Sequence, residues 1–547
     1  MLTKAWLTHY PDGVPERVDV PDISVDALLK QSATQFGEHT AIIDDGRKMT
    51  YAELDQQVDQ FAAALHARGL KKGDPVLLML PNSHEYILSY YAILRMGAIV
   101  VQVNPMYQSQ ELAHMISIVH PRLFIGETKQ RTKLSKYNLP SIYIDGETDD
   151  LATIIHNADI HRNVTTEITP AEDVAVIQFT GGTTGVPKGA MLTHANLVAN
   201  VIQTFAFAKG TLVRPGEVFL GVSPFFHVLG MSSVMNQGIY AAATIVTMRR
   251  WRVQDGVRLI NEHQPTYFPA VPTMYIGLLN YAKKHPVSFG NFKVMTGGGA
   301  PMPVEVIRGV EQLTGAVISE GYGLSEASPT THRNPYHGLR KVGSIGVPLP
   351  STECRIVDID TGKDAHIGEA GELLIKGPQV MKGYWGEPEA TEQQLKDGWL
   401  RTGDIATVDA DGYFYIVGRK KEMVIGSGYN IYPNEVEDLL YAHEHVLEVS
   451  VYGVPDPYRG ETLAASVVLT EGADTTAEQL IKWCIEHLAA YKVPEIIEFR
   501  SELPKTTVAK CCEESSLKKW SINENKRKRC GSPLSFIFAI SSTIVGE

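Results

Sequence analysis

The feature that most constrains the fold is an amphipathic helix followed directly by a short, continuous apolar run. A capping box at Thr50 and Glu53 marks the start of the helix, and apolar side chains then recur at helical spacing up to Gly69. The run PVLLML, residues 75–80, is typical of a strand buried on both faces of a parallel sheet. The same alternation recurs at residues 173–179, 242–248 and 292–295. The sequence therefore predicts an α/β fold of helices layered on a sheet.

The most apolar internal stretch, residues 86–103, is interrupted by Arg95 and Gly97. A membrane span needs about 20 apolar residues. We therefore expect a helix that leads into a buried strand here, and no transmembrane segment.

Near residue 343 the sequence changes to short alternating strands separated by turns, at residues 353–358, 371–375, 405–408 and 413–417. We expect a β-rich subdomain at about 343–417 that completes a large N-terminal domain, residues 1–417. Beyond a polar hinge, helix and strand patterns alternate on the scale of a small α+β domain, residues 418–510.

Composition excludes several classes of function. The 547 residues carry a formal net charge of -12, which argues against a chain-wide grip on nucleic acid. Five cysteines at irregular spacing form neither a disulfide framework nor a zinc site, and this favours a reducing compartment. The N-terminal residues lack the apolar core of a secretory signal. We expect a cytoplasmic protein.

A loop rich in glycine and threonine, TGGTTGVPKG, follows the strand predicted to end at Phe179 and precedes a helix predicted to start near Thr193. Glycines let backbone N–H groups approach an anion, threonine hydroxyls add donors, and Lys188 adds positive charge. The loop therefore predicts a polyphosphate site. It is not a Walker loop, because Lys188 is followed by glycine. A flexible turn without function would not need so many hydroxyl and amine groups.

This loop resembles the nucleotide loop of the acyl-adenylate-forming enzymes, the superfamily that contains acyl-CoA synthetases, peptide-synthetase adenylation domains and firefly luciferase. Further motifs of that superfamily follow in order: GGGAP from Gly297, GYGLSE from Gly321, YW from Tyr384, WLRTGD from Trp399, GR at Gly418 and GYNIYP from Gly428. Within that superfamily, the chain resembles the bacterial medium- and long-chain fatty acyl-CoA synthetases.

The resemblance implies a nucleotide site. Tyr322 would lie against the adenine, Asp404 would accept hydrogen bonds from the ribose hydroxyls with Arg419 beside it, and Glu326 would bind magnesium. The other residues expected to contact the nucleotide are Thr180, Gly181, Gly182, Thr183, Thr184, Gly185, Lys188, Gly298, Gly299, Ala300, Gly321, Gly323 and Ser325. Lys510, Lys188, Glu326 and Thr183 are the expected catalytic residues.

The resemblance also implies an acyl pocket and a mobile C-terminal domain. Phe226, His227, Met231 and Gly297 are expected to line the pocket, with His227 as a lining residue and not as a general base. No aspartate or basic residue in this region would meet an ammonium or a second carboxylate. Lys421 matches the hinge between the two half-reactions, and the loop with Gly426, Gly428 and Tyr429 matches the segment on the coenzyme A side.

The C-terminal end departs from the family pattern. A glycine should precede the last catalytic lysine and an arginine-rich helix should follow it, whereas Ala509-Lys510 runs into CCEESSLKK. The codons GTC GGC AAA GTG CTG CGA AGA GTC CTC spell the family-type sequence, and losing one G makes them read VAKCCEESS. We hypothesise a frameshift near Ala509, so that residues 511–547 form an atypical tail that was not selected to fold. A membrane anchor after the basic run at 526–529 is the alternative.

Together these features predict an ATP- and Mg²⁺-dependent fatty acid–CoA ligase with coenzyme A as co-substrate. The runner-up substrate is an aryl acid such as a coumarate. Two other functions stay open: an acyl- or nucleotide-binding protein without turnover, because of the altered C-terminal end, and an enzyme that loads a carrier protein. Homodimer formation and peripheral membrane association are also open.

Overall fold

A computed structural model describes residues 4–146, 150–158, 166–180, 187–300, 302–426, 429–456 and 459–503. The chain divides into two compact units, Met1–Lys421 and Glu422–Glu547. Within the described ranges, every helix falls short of the length and apolar character that crossing a bilayer requires.

The first unit contains a seven-stranded sheet. Its central strands are parallel, and the run predicted at residues 75–80 forms the buried strand Pro75–Met79. Two antiparallel strands, Lys188–Thr193 and Gly383–Tyr384, complete one edge. In spatial order the strands are Gly383–Tyr384, Lys188–Thr193, Val174–Thr180, Ile99–Gln102, Pro75–Met79, Leu123–Gly126 and Ser141–Tyr143.

A second, nine-stranded sheet lies in the same unit, and its six central strands are parallel, whereas the strands at both of its ends pair antiparallel. In spatial order its strands are Val347–Pro348, Thr330–Arg333, Val317–Gly323, Val294–Gly297, Tyr267–Ala270, Val218–Gly221, Thr244–Thr247, Thr40–Asp44 and Arg47–Thr50. Parallel strands connected through helices place both sheets inside a layered α/β architecture, as the sequence predicts.

The predicted capping box is confirmed at the start of the helix Tyr51–Ala67. The Thr50 amide donates to Glu53 Oε2 over 2.7 Å, and the Glu53 amide donates to Thr50 Oγ1 over 3.2 Å. The predicted helix-to-strand passage is confirmed as His84–Arg95 and Ile99–Gln102. The other helices of this unit are Val25–Phe36, Ser109–Val119, Arg131–Leu134, Leu151–His156, His194–Phe207, the π-helix Leu229–Asn236, Gln237–Tyr240, Val253–His263, Pro272–Ala282, Val304–Thr314 and Pro388–Gln394, with short 3₁₀ turns at Ala5–His9, Thr128–Gln130 and Ser325–Ala327.

The two sheets share one apolar core. A single cluster of buried side chains contains Val76 and Val176 from the seven-stranded sheet and Phe219 and Tyr267 from the nine-stranded sheet. The helix His84–Arg95 is buried on all its faces because it contributes to this cluster. The nearly complete burial of these aromatic and aliphatic side chains fixes the sheets against each other.

A five-stranded antiparallel sheet lies within residues 353–419. Its strands are Glu353–Val357, Gly371–Lys376, Trp399–Val408, Leu395–Lys396 and Phe414–Arg419. Gly418 and Arg419 still belong to this sheet, because they pair with Ile405 and Asp404.

The second unit is an α+β domain. Its described strands are Tyr429–Ile431, Val424–Gly426, Gly460–Leu469, Val446–Asp456 and Ile496–Phe499, and its helices are Pro433–Tyr441, Ala477–His487 and the 3₁₀ turn Ala490–Lys492. An apolar core that includes Val436, Leu440, Val451 and Leu480 holds the helices on the sheet.

Candidate active site

Three of the predicted motifs lie at one edge of the nine-stranded sheet. The strands Val218–Gly221, Val294–Gly297 and Val317–Gly323 run parallel through their shared neighbours, so their carboxyl ends lie at the same edge. The motif with Phe226 follows the first strand, the glycine motif follows the second, and Tyr322 ends the third. Open α/β sheets bind ligands outside the carboxyl ends of their strands.

Polar side chains of the seven-stranded sheet hold the segment that carries Phe226 and His227. Gln178 Nε2 donates to the Phe226 carbonyl over 3.4 Å, and Gln102 Nε2 donates to the Phe225 carbonyl over 3.0 Å. Asn82 adds a bond from Nδ2 to the Ser223 carbonyl, at 2.9 Å. The carboxyl ends of the two sheets therefore meet around this segment.

The glycine- and threonine-rich loop connects two antiparallel strands. Thr180 and Lys188 face each other in the register of Val174–Thr180 and Lys188–Thr193, and Thr180 Oγ1 donates to the Lys188 carbonyl over 3.4 Å. The sequence analysis did not predict the second strand, which leads directly into the helix His194–Phe207. The loop is thus a hairpin loop, and Lys188 lies at its base. Residues 181–186, with Gly181, Gly182, Thr183, Thr184 and Gly185, lie outside the described residues.

Close backbone contacts explain the glycines around Tyr322. A Cβ at Gly323 would lie 2.3 Å from the Pro329 carbonyl oxygen, so only glycine fits there. A Cβ at Gly298 would lie 3.5 Å from the Gly321 carbonyl oxygen, so the two glycine motifs are neighbours. Gly299 has a φ of +81°, a conformation that favours glycine. Ala300 follows Gly299 at the same sheet edge, and Ser325 begins the 3₁₀ turn Ser325–Ala327.

Tyr322, Asp404 and Arg419 form one cluster. The Tyr322 hydroxyl donates to Asp404 Oδ2, and Arg419 Nε lies 3.2 Å from Asp404 Oδ1. Asp404 is 4% exposed, so its charge is compensated by these partners rather than by bulk water. The structure therefore brings together the three side chains that the resemblance assigns to adenine and ribose.

Glu326 lies in a second cluster with Tyr384 and Lys188. The Tyr384 hydroxyl donates to Glu326 Oε1 over 2.9 Å, and Lys188 Nζ lies 5.4 Å from the centroid of the Tyr384 ring. Removal of the carboxyl from water raises the pKa of Glu326, and the hydrogen bond from Tyr384 opposes that rise. The sequence singled out the motif at Tyr384 but assigned it no task. The place of Tyr384 in the ordered series of family motifs is the signal that the sequence offers for its importance.

Three of the residues predicted to line the acyl pocket, Phe226, His227 and Met231, lie at the start of the π-helix Leu229–Asn236, whereas Gly297 ends the strand Val294–Gly297. His227 Nδ1 accepts the Leu229 amide over 3.3 Å, and the Met231 amide donates to the His227 carbonyl over 2.9 Å. Met231 is fully buried, and Phe226 packs partly buried against the core. At Gly297 a Cβ would lie 2.7 Å from the terminal methyl of Met302.

The remaining predicted residues belong to the hinge and to the second unit. Lys421 is the last residue of the first unit, and Gly426 ends the strand Val424–Gly426. Tyr429 begins the strand Tyr429–Ile431. Gly428 and Lys510, like the whole of 504–547, lie outside the described residues. The catalytic assignment of Lys510 therefore stays a prediction.

Comparison with known families agrees with this geometry. The family described as AMP-binding enzyme matches residues 29–385, and the AMP-binding enzyme C-terminal domain matches residues 435–510. The first match spans more than half of the chain, so this chain belongs to the AMP-binding enzyme family. The predicted resemblance is confirmed.

Several relatives match over nearly their full length. A long-chain-fatty-acid–CoA ligase of Bacillus subtilis (strain 168) is 41% identical, covering 95% of this chain and 99% of that protein. A long-chain-fatty-acid–CoA ligase of Yersinia pestis is 37% identical, covering 93% of this chain and 97% of that protein. A feruloyl-CoA synthase of Amycolatopsis sp is 33% identical, covering 85% of this chain and 93% of that protein.

Solved structures confirm the predicted fold class. ATP-bound MatB from Rhodopseudomonas palustris has a TM-score of 0.83 and 30% identity, covering 91% of this chain and 99% of that chain. The O-succinylbenzoate coenzyme A synthetase MenE from Bacillus subtilis, in complex with ATP and magnesium ion, has a TM-score of 0.77 and 28% identity, covering 88% of this chain and 98% of that chain.

Proposed function

We propose that the protein is an ATP- and Mg²⁺-dependent ligase that joins a medium- or long-chain fatty acid to coenzyme A. The observation that carries this proposal is the 41% identity to a long-chain-fatty-acid–CoA ligase over 95% of this chain and 99% of that protein. Such a match covers the segments around Phe226, Tyr322 and Glu326 in one alignment. The clusters around Asp404 and Glu326 supply the polar groups that the reaction needs.

The reaction proceeds in two halves. A carboxylate oxygen of the fatty acid attacks the α-phosphorus of ATP, pyrophosphate leaves, and an acyl-adenylate forms. The thiolate of coenzyme A then attacks the acyl carbonyl, and AMP leaves. The first half converts a poor electrophile into a mixed anhydride, which makes thioester formation feasible.

The residues of this chain bind and orient the nucleotide. Tyr322 lies against the adenine, Asp404 accepts the ribose hydroxyls, and Arg419, which lies 3.2 Å from Asp404 Oδ1, holds that carboxylate in place. Lys188, at the base of the hairpin loop, attracts the phosphates. Fixed donors and charges of this kind stabilise the charge that develops on phosphate oxygens during the attack.

Glu326 fits a magnesium ion by its chemistry. It is a carboxylate whose partner Tyr384 also lies against Lys188, and the hydrogen bond from Tyr384 leaves lone pairs for a hard cation. When bound, Mg²⁺ neutralises charge on the phosphates. Three further assignments complete the proposal. Lys421, the last residue of the first unit, acts as the hinge. In the second unit, the segment from Gly426 serves the coenzyme A side, and Lys510 lies beside the α-phosphate during adenylation.

The acid is proposed to be aliphatic because the segment around Phe226, Val228 and Met231 is apolar and offers no charged partner to a second polar group. An aryl acid is the second candidate, and it is favoured by the 33% identity to a feruloyl-CoA synthase. We further propose a cytoplasmic location, since the described Cys354 and Cys484 are free thiols.

Pyrophosphate release measured across fatty acids of graded length and aryl acids, with and without coenzyme A, tests the proposal. We expect release with medium- or long-chain acids, and acyl-CoA detected by mass spectrometry only when coenzyme A is present. Turnover confined to aryl acids would favour the second candidate. Transfer of the acyl group to a phosphopantetheine arm but not to free coenzyme A would contradict the ligase assignment.

A further inference from the structure

We propose that Tyr384 is a positioning residue that holds Glu326 and Lys188 in one fixed arrangement around the metal–phosphate part of the nucleotide. This inference rests on the proposed function, which assigns Glu326 to magnesium and Lys188 to the phosphates. In this proposal Tyr384 acts through Glu326 and Lys188 and does not itself contact the substrate.

The backbone around Tyr384 is hydrogen-bonded to Glu326 and to the residue that follows Lys188. The Trp385 amide donates to the Gly189 carbonyl over 2.8 Å, next to Lys188 in the chain. The Met381 amide donates to the Glu326 carbonyl over 2.8 Å. The short segment that contains Tyr384 therefore ties the strand of Lys188 to the 3₁₀ turn of Glu326.

The Tyr384 side chain repeats this connection. Its hydroxyl donates to Glu326 Oε1 over 2.9 Å, while Lys188 Nζ lies 5.4 Å from the ring centroid. A hydroxyl lies in the plane of its ring and a cation binds over the face, so one side chain makes both contacts without competition. Tyr384 is 6% exposed, so neither contact is diluted by bulk water.

Local sequence fixes the orientation of Tyr384. Gly383 has a φ of +146°, and a Cβ there would lie 2.7 Å from Thr391 Cγ2. Thr391 Oγ1 also accepts the Tyr384 amide over 2.9 Å. The glycine admits the threonine, and the threonine sets the backbone from which the tyrosine projects.

Residues that orient a metal ligand affect metal binding without touching the metal. Loss of such a partner costs about 10- to 100-fold in metal affinity or activity. Without the Tyr384 hydroxyl, Glu326 keeps its position in the chain but loses the donor that fixes its carboxylate plane. The metal's contribution to nucleotide binding should therefore fall.

The test is calorimetric and needs no turnover. The dissociation constant of α,β-methylene-ATP is measured once with excess Mg²⁺ and once with EDTA. The value in EDTA divided by the value in Mg²⁺ is the ratio that gives the metal's contribution to binding. In Tyr384→Phe, which keeps the ring beneath Lys188, we expect the ratio to fall about 10-fold with little change in EDTA. In Tyr384→Leu, which removes the ring as well, we expect weaker binding in EDTA too.

Tyr415→Phe is the matched control, because it removes a hydroxyl that donates to another carboxylate, Asp409, over 3.1 Å. It should leave the ratio unchanged. Glu326→Gln supplies a background in which Tyr384→Phe should have no further effect on the ratio, because the ligand that Tyr384 positions is already lost. Thermal melts monitor the folding of every variant.

The proposal is overturned if Tyr384→Phe binds the analogue with the wild-type ratio, or if it lowers the ratio equally in the Glu326→Gln background. A wild-type ratio near one would overturn it as well. Failure of the proposed function is a separate result, since it appears as a wild-type protein that binds the nucleotide analogue but releases no pyrophosphate with any acid.

Discussion

Replacing Asp404 with asparagine should remove the preference of the protein for a complete ribose. Asp404→Asn preserves the size of the side chain but removes the charge that faces Arg419, whose Nε lies 3.2 Å from Asp404 Oδ1. It also places an amide group against either Arg419 or the Tyr322 hydroxyl, which donates to Oδ2 in the native protein. The proposed acceptor of the ribose hydroxyls is therefore both weakened and misaligned.

The size of the effect follows from the hydrogen bonds that are lost. A hydrogen bond to a charged group contributes about 1.5–3 kcal/mol. Losing one such bond to a ribose hydroxyl corresponds to about 10- to 150-fold in kcat/KM for ATP. Because Asp404 is 4% exposed, water offers little replacement for the missing contact.

The assay compares ATP with 2′-deoxy-ATP and 3′-deoxy-ATP. The native protein should discriminate against at least one deoxy analogue by about 10-fold, and Asp404→Asn should discriminate by less than about 3-fold. Asp409→Asn is the matched control, since Asp409 also accepts from a tyrosine, Tyr415 at 3.1 Å, and from a cation, Lys341 at 2.5 Å. Retention of the native discrimination in Asp404→Asn would refute the ribose assignment.

Two further changes test the packing of the fold and its pH dependence. Gly323→Ala should lower both the melting temperature and the affinity for ATP, because its Cβ would lie 2.3 Å from the Pro329 carbonyl oxygen. Gly277→Ala is the control: the nearest atom to its Cβ would lie 4.0 Å away, so both quantities should stay unchanged or improve slightly. Equal behaviour of the two variants in thermal melts and calorimetry would contradict this prediction. Burial lowers the pKa of His194 to about 4, and its Nδ1 accepts the Val25 amide over 3.1 Å. The imidazole of the unfolded chain binds a proton near pH 6.5, whereas the folded one does not. The free energy of unfolding is therefore highest above that pH and decreases as the pH falls toward 4, by about 2 kcal/mol at pH 5. His194→Asn, which keeps an acceptor but cannot titrate, should show a shallower fall in melting temperature between pH 7 and 5, and parallel pH profiles would argue against the assignment.

The sequence predicts those helices and strands whose signal lies within a few neighbouring residues. The helix Tyr51–Ala67 was predictable because Thr50 and Glu53 lie three positions apart and form both capping bonds themselves. The strand Pro75–Met79 was predictable because burial on both faces requires an unbroken apolar run.

The strand Lys188–Thr193 was missed because its first residues, lysine and glycine, continue the composition of the loop before it. Its strand character comes from pairing with Val174–Thr180, which no local pattern reveals. The predicted domain boundary at 417/418 depended on a polar run, whereas Gly418 and Arg419 lie in a strand that pairs with Ile405 and Asp404.

The candidate site shows the same division between local and distant signals. Motifs identified Tyr322, Glu326, Asp404 and Lys188 one at a time, because each lies in a short stretch of unusual composition. The contact between Tyr384 and Glu326 joins residues 58 positions apart, so its existence depends on the pairing of two strands and on the 3₁₀ turn. Only the folded chain supplies that information.

Exchange of labelled pyrophosphate into ATP in the presence of a fatty acid is the sharpest test of the proposed ligase activity, since it reports formation of the acyl-adenylate without requiring coenzyme A. The proposed function predicts exchange that depends on a medium- or long-chain acid and on Mg²⁺. Absence of acid-dependent exchange, both in this chain and in a version whose family-type sequence is restored after Val508, would contradict it.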